Sequence, residues 1–212
     1  MIRIPVSKPQ ISEEDVQAVT EAVRSGWVSS AGRYVEQFEH DFAKKFGHEY
    51  AIAVSNGTVG LHLALSTLGV TQGDEVIIPD LTFVATANAV LYTGAIPVCV
   101  DTSEDLCIKI DNISKALTSR TKAIIPVHLY GNVCEMDRLR KFADKHKLVI
   151  VEDCAEALGA RWANRGVGRV GDFGVFSFYG NKTITTGEGG MVVTDNKELW
   201  QAAGILDRKS VV

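Results

Sequence analysis

FGVFSFYGNKTITTGEGGMVVT, residues 173–194, sets one lysine, Lys182, between two apolar runs. FGVFSF (173–178) and MVVT (191–194) have the length and composition of buried strands. The bridge between them is rich in Gly, Thr and Asn, and a lysine in such a turn is ordinarily solvated. It becomes a site residue if the first strand runs parallel to its neighbours, because ligands of open parallel sheets bind beyond the carboxyl ends of the strands.

Five more apolar runs lie upstream: AIAV (51–54), EVIIP (75–79), IPVCV (96–100), AIIPV (123–127) and LVIVE (148–152). Helix-like stretches fill the gaps at 58–69, 82–94, 111–120 and 136–147. Strands apolar on both faces and alternating with helices predict an α/β fold with a mainly parallel seven-stranded sheet and helices on both faces. No long helix separates the last two runs, so one of them is expected to pair antiparallel.

Two helices precede this region. In ISEEDVQAVTEAVRSG, Ser12 is the N-cap, with Asp15 in a capping-box arrangement. Ile11 and Val16 are spaced for a hydrophobic staple, and Gly26 marks the end. In YVEQFEHDFAKKFG, Val35, Phe38, Phe42 and Phe46 form a stripe at helical spacing, stopped by Gly47. Residues 1–50 therefore read as a helical N-terminal arm, and 51–212 as one α/β domain.

Composition narrows the function. The 212 residues are 46% hydrophobic and 23% charged, enough for one domain with a large core. The net charge of −4 and scattered basic residues offer nucleic acid no phosphate-tracking patch. No apolar run is long enough to span a membrane, and MIRIPVSKPQ lacks the apolar core of a secretory signal. A cytoplasmic protein is expected. Cys99, Cys107, Cys134 and Cys154 show no CxxC spacing, so buried free thiols are expected and no metal site.

The segments that follow each run carry the candidate chemistry. Ser55-Asn56-Gly57-Thr58 closes a strand and opens a helix, which makes either a plain cap or an anion cradle. Phe83 opens the next helix and either packs in the core or offers a flat face to an aromatic cofactor. Asp153 follows the 148–152 run at the edge of the core, where it caps the next segment or holds a cationic ligand nitrogen. Ser177 lies five residues before Lys182, and Gly187, Gly189 and Gly190 allow the backbone to pack tightly there. Together these are an anion cradle, an aromatic face, a carboxylate and a lysine on one predicted rim. Pyridoxal phosphate requires those groups: phosphate donors, a ring stack, an acid against the pyridine nitrogen and a Schiff-base lysine.

NGTVGLHLAL, LTFVATANAV, PVHLYGN, VEDCAEALGA and FSFYGNKTITTGEGGM resemble the DegT/StrS-type nucleotide-sugar aminotransferases, from about residue 5 to about residue 205. These are pyridoxal-phosphate-dependent transferases of fold type I. GWVSS and the lysine motif look most like the perosamine-forming branch, which aminates GDP-4-keto-6-deoxymannose. The resemblance implies pyridoxal 5'-phosphate as cofactor, with Lys182 as its covalent anchor and Asp153 against its ring nitrogen. It implies Gly57, Thr58 and Ser177 as phosphate contacts and Phe83 as the ring-stacking residue. Glu156 falls where many relatives have Gln or His, close to the cofactor, and reads as a marker of substrate type. Relatives with histidine in place of the lysine are dehydratases; Lys182 favours transamination. The implied reaction moves an amino group from glutamate to the C4 keto group of a nucleotide-linked sugar, in a homodimer. Members of the family are longer, with a small C-terminal domain that is expected to be absent here, the chain ending at ILDRKSVV. The expectations are thus two: a sugar aminotransferase, or a remnant that binds cofactor or a partner chain without turnover.

Overall fold

The computed structural model describes residues 8–30 and 32–208. The first seven residues and the last four of ILDRKSVV lie outside the described residues. The chain opens with α1 (Glu13–Arg24) and α2 (Arg33–Phe46), followed by β1 (Tyr50–Val54) and α3 (Gly57–Thr67). Next come β2 (Glu75–Pro79), α4 (Val84–Tyr92), β3 (Ile96–Val100), α5 (Ile110–Ala116) and β4 (Thr121–Ile124). Then follow α6 (Met136–His146), β5 (Val149–Asp153), a small hairpin of β6 (Arg161–Trp162) and β7 (Arg165–Gly166), β8 (Phe173–Ser177), β9 (Gly190–Thr194) and α7 (Lys197–Arg208).

Seven strands form one sheet in the order β1-β9-β8-β5-β4-β2-β3. β8, β5, β4, β2 and β3 run parallel, and β9 is antiparallel to both β8 and β1. The link from β8 to β9 holds no helix to carry a crossover, and β9 returns antiparallel. Alternate side chains of the strands feed two cores. Ile78, Ile125, Val151, Val175 and Val192 pack under α3, α4 and α7. Ile77, Ile124 and Ile150 meet Ile113, Met136 and Leu139 of α5 and α6 on the other face. The Phe42 ring of α2 packs against Phe176 and Phe178, with centroids 5.1 and 5.7 Å away. The stripe expected of this helix is therefore a docking face on the sheet.

Helix α1 forms with the expected capping box, Asp15 N–H donating to Ser12 Oγ and Ser12 N–H to Asp15 Oδ2. None of its residues is buried, and Ile11 and Val16 are 60% and 48% exposed, so the expected staple buries little apolar surface. Two further expectations need correcting. β3 is an edge strand, so it is not apolar on two buried faces, and Cys99 is exposed rather than buried. LVIVE is not a wholly apolar run: Glu152 sits inside it, fully buried.

His48 follows α2 and packs edge-on against Phe176, with both ring nitrogens lacking a hydrogen-bond partner among the described residues. Burial holds its pKa down at about 4 against an ordinary 6.5, with Asp195 pulling it up and Arg169 pushing it further down. The unfolded chain therefore binds the proton first as pH falls, and stability is lost below about pH 6.5. Going from about pH 7.5 to about pH 5 costs about 2 kcal/mol through this residue alone. Urea denaturation at the two pH values checks this: His48→Leu shows a smaller loss than the unsubstituted chain by that amount.

Candidate active site

The carboxyl ends of β1, β5 and β8 and the first turns of α3 and α4 surround a cavity of about 600 Å³. Gly57, Thr58, Phe83, Asp153, Glu156, Ser177 and Lys182 all line it. Lys182 reaches this rim because β8 pairs parallel with β5.

At one end the walls are polar and narrow. Asn56 caps α3, its side-chain oxygen accepting from Val59 N–H at 2.9 Å. Gly57 and Thr58 are the first two helical residues, so their N–H groups have no acceptor within the helix. Ser177 ends β8 beside them: a Cβ on Gly57 would lie 3.0 Å from Ser177 Cβ. A Cβ on Gly190 would lie 2.7 Å from the Asn56 carbonyl carbon. Glycine at 57 and 190 thus lets three elements converge on a helix N-terminus with a serine and a threonine hydroxyl beside it, an arrangement suited to a phosphate.

Asp153 closes the floor. It is only 6% exposed. Its Oδ1 accepts from Ala155 N–H at 3.1 Å and its Oδ2 from Thr86 Oγ1 at 2.9 Å. Residues 154–157 form a turn, so the AEALG segment is not a helix and Asp153 does not cap one. Burial pushes the carboxyl above the ordinary 3.8, opposed by Ala155 N–H, Thr86, Lys182 and His128. A buried acid held by two donors retains lone pairs for a cationic N–H from the cavity.

Lys182 sits in the loop between β8 and β9, its side chain 15% exposed. The loop folds on itself: Lys182 N–H donates to Tyr179 O at 2.9 Å and Thr186 N–H to Phe178 O at 3.0 Å. Gly187 (φ +86°) and Gly189 (φ +145°) supply its left-handed turns. The glycines first of all shape the loop that presents the lysine. Lys182 Nζ lies 3.2 Å from Glu156 Oε1, while Glu156 Oε2 accepts from Tyr130 N–H at 3.2 Å. Phe83 is the N-cap of α4 and stands 68% exposed at the mouth of the cavity.

Beneath the rim lies a hub the sequence reading missed. Glu152 Oε2 meets His128 Nε2 at 2.9 Å and accepts from Gly168 N–H; its Oε1 accepts from Val170 and Gly171 N–H. Cys134 N–H donates to His128 Nδ1, which leaves Nε2 to donate to Glu152. Burial raises the Glu152 carboxyl, but the bonds from His128 and the backbone outweigh it and hold the carboxyl below the usual range. His128 N–H donates to Asp153 O at 3.0 Å, so the hub also fixes the backbone that carries the site acid. Burial, with Glu152 and Asp153 adjacent, pushes the Cys154 thiol far up, which leaves it unreactive.

Residues 9–212 match the model of the DegT/DnrJ/EryC1/StrS aminotransferase family. The chain belongs to that family. A curated relative, the GDP-perosamine synthase of Escherichia coli O157:H7, is 48% identical over 198 residues, 93% of this chain and 54% of the relative. A solved aminotransferase from Psychrobacter cryohalolentis superposes with a TM-score of 0.88 at 40% identity, over 92% of this chain and 50% of that one. Spr1654 of Streptococcus pneumoniae, assigned to the sugar aminotransferases and solved in its PLP form, gives 0.92 at 33% identity, over 98% and 58%. The chain spans about half the length of the curated relatives it matches.

Pyridoxal 5'-phosphate is the cofactor these likenesses carry, and the cavity fits it. One end offers hydroxyls and a helix N-terminus, the mouth a phenyl ring, the floor a buried acid and the wall an amine. The fold, a mostly parallel sheet between helices, is that of the large domain of these transferases.

Proposed function

We propose that this chain is the cofactor-binding part of an aminotransferase that converts the C4 keto group of a nucleotide-linked 4-keto-6-deoxy sugar into an amine. GDP-4-keto-6-deoxymannose is the substrate and glutamate the donor. The single observation that carries the reading is the placement of Lys182 Nζ and the Asp153 carboxylate on one cavity beside the start of α3. The GDP-perosamine synthase relative supports the choice of sugar. Residues 51–212 form the cofactor-binding domain, and 1–50 an arm whose α2 is docked on the sheet.

Pyridoxal phosphate, when bound, supplies an electron sink for negative charge at the α-carbon of an amino acid. The protein's part is positional and protic. Gly57 and Thr58 N–H, with the Thr58 and Ser177 hydroxyls, hold the phosphate. Phe83, at the cavity mouth, would offer its ring to one face of the cofactor. Asp153 keeps the proton on the ring nitrogen, and the buried site strengthens that charge pairing. Lys182 Nζ would anchor the cofactor and, as a free amine, would be the base that carries a proton to and from the donor's α-carbon. Glu156, fixed by Tyr130 N–H, orients Lys182 Nζ.

The enzyme works as a homodimer in the cytoplasm, its product a building block of surface polysaccharide such as O-antigen. Phe83, Val84, Tyr92, Tyr130 and Tyr179 are each more than half exposed near the cavity mouth, an apolar surface suited to burial against another chain.

The test supplies the protein with pyridoxal phosphate, heavy-nitrogen glutamate and GDP-4-keto-6-deoxymannose, and follows both products by mass spectrometry. Labelled amino-sugar nucleotide together with 2-oxoglutarate, with ping-pong kinetics, is the expected result. Release of 2-oxoglutarate with no labelled sugar would overturn the choice of sugar. Bound cofactor with neither product would establish a cofactor-binding remnant instead.

A further inference from the structure

Thr86 lies in the first turn of α4, fully buried and outside the lining of the cavity. Its Oγ1 donates to Asp153 Oδ2 at 2.9 Å and lies 2.8 Å from Thr82 Oγ1. A threonine hydroxyl has one hydrogen, and an ionised carboxylate only accepts. With Thr86 donating to Asp153, the hydrogen between the two threonines must come from Thr82. The order is therefore Thr82 to Thr86 to Asp153. Thr82 itself lines the cavity, and Thr86 N–H donates to Phe83 O at 3.1 Å. One short segment, 82–86, thus ties the residue at the cavity mouth to the acid on its floor.

We infer that Thr86, ordered by Thr82, is a positioning residue for Asp153: its hydroxyl holds Oδ2 and so sets how the carboxylate meets the ring nitrogen of the cofactor. This rests on the function proposed above. The need for such a donor is physical. Burial disfavours the charged carboxylate, and Ala155 N–H is the other hydrogen-bond donor to it among the described residues. Lys182 from the β8–β9 loop and His128 from the segment after β4 act on it electrostatically, and the Cys154 thiol adjoins it. Neither side chain is hydrogen-bonded to Asp153, so orientation falls to the two donors.

Thr86→Val keeps the shape and removes the hydroxyl; Thr86→Ser keeps the hydroxyl; Thr82→Val removes only its ordering partner. In the cofactor-free chain, carbon NMR of the Asp153 carboxyl, assigned by its loss in Asp153→Asn, reads the carboxylate directly. Thr86→Val is expected to move its titration upward by about one pH unit, while Thr86→Ser titrates as the unsubstituted chain does. Equilibrium dialysis against pyridoxal phosphate is expected to show about ten-fold weaker binding in Thr86→Val. Thr82→Val falls between the two, and Thr86→Ser stays within about three-fold of the original. Unchanged titration in Thr86→Val, or Thr86→Ser behaving like Thr86→Val, would overturn the inference. If Thr86→Val does not fold, an unshifted titration in Thr82→Val overturns it equally. Failure of the unsubstituted chain to bind pyridoxal phosphate would defeat the functional reading instead, and the cofactor-free titration would still decide this one.

Discussion

Lys182→Ala leaves a folded protein that no longer fixes its cofactor under borohydride and loses turnover by about 10³-fold or more. The argument starts from what the substitution removes. Among the described residues Lys182 Nζ has one ion-pair partner, Glu156, whose side chain is 26% exposed and keeps the Tyr130 N–H donor at its other oxygen. A partly solvated carboxylate with a remaining donor costs the fold little. The loss is therefore chemical: the covalent anchor and the proton-carrying amine vanish together. Lys182→Arg separates charge from chemistry. It keeps a cation beside Glu156 but cannot give up its proton, so it too is expected to be inactive. A small primary amine added to Lys182→Ala should restore part of the turnover, because it can occupy the space and carry the proton. Steady-state rates with and without the amine check this. More than about a tenth of the original activity in either variant would remove Lys182 from the chemistry.

Asp153→Asn is expected to move two readouts in opposite directions. Turnover falls by roughly two to three orders of magnitude, because a neutral amide no longer stabilises the proton on the ring nitrogen. The cofactor-free fold holds or gains stability. The Asp153 carboxyl binds its proton more tightly in the fold than in the unfolded chain, so keeping it ionised at neutral pH costs folding free energy. Asparagine removes that cost while keeping the shape: its carbonyl oxygen accepts from Ala155 N–H, and its amide donates to Thr86 Oγ1, whose hydrogen turns to Thr82. The sign follows: the stability difference between variant and original is largest well above pH 3.8 and shrinks as pH falls and both chains become neutral at this position. Thermal melts of cofactor-free protein at two pH values, beside rates of loaded protein, give both halves. A variant within about five-fold of the original rate would contradict the role given to the carboxylate.

Much of the fold is legible because the parallel strands β2, β5 and β8 are buried on both faces and therefore written as apolar runs. The reversal at β9 follows from the absence of a helix in the link after β8. Legibility fails where the deciding partner is distant in sequence. IPVCV looks as buried as EVIIP, yet β3 is the sheet edge, and only the strand order shows that Cys99 faces water. Glu152 reads as the tail of an apolar strand; its four partners come from residues 128 and 168–171. Thr86 is hidden for the same reason, a small residue in a helical pattern whose acceptor lies 67 positions away. The cavity residues were easier to find, since the carboxyl ends of parallel strands share one rim. The ion pair of Glu156 with Lys182 was not, because it depends on how the 179–189 loop folds back.

The central claim is that Lys182 is the cofactor's anchor in a preformed site. The direct measurement is the visible spectrum of the purified chain with pyridoxal phosphate, followed by borohydride reduction and peptide mass mapping. The account predicts a band at roughly 410–430 nm, as this cofactor gives when bound through a lysine, and a single reduced adduct on Lys182. No band, or label spread over surface lysines such as Lys44 and Lys145, would contradict it.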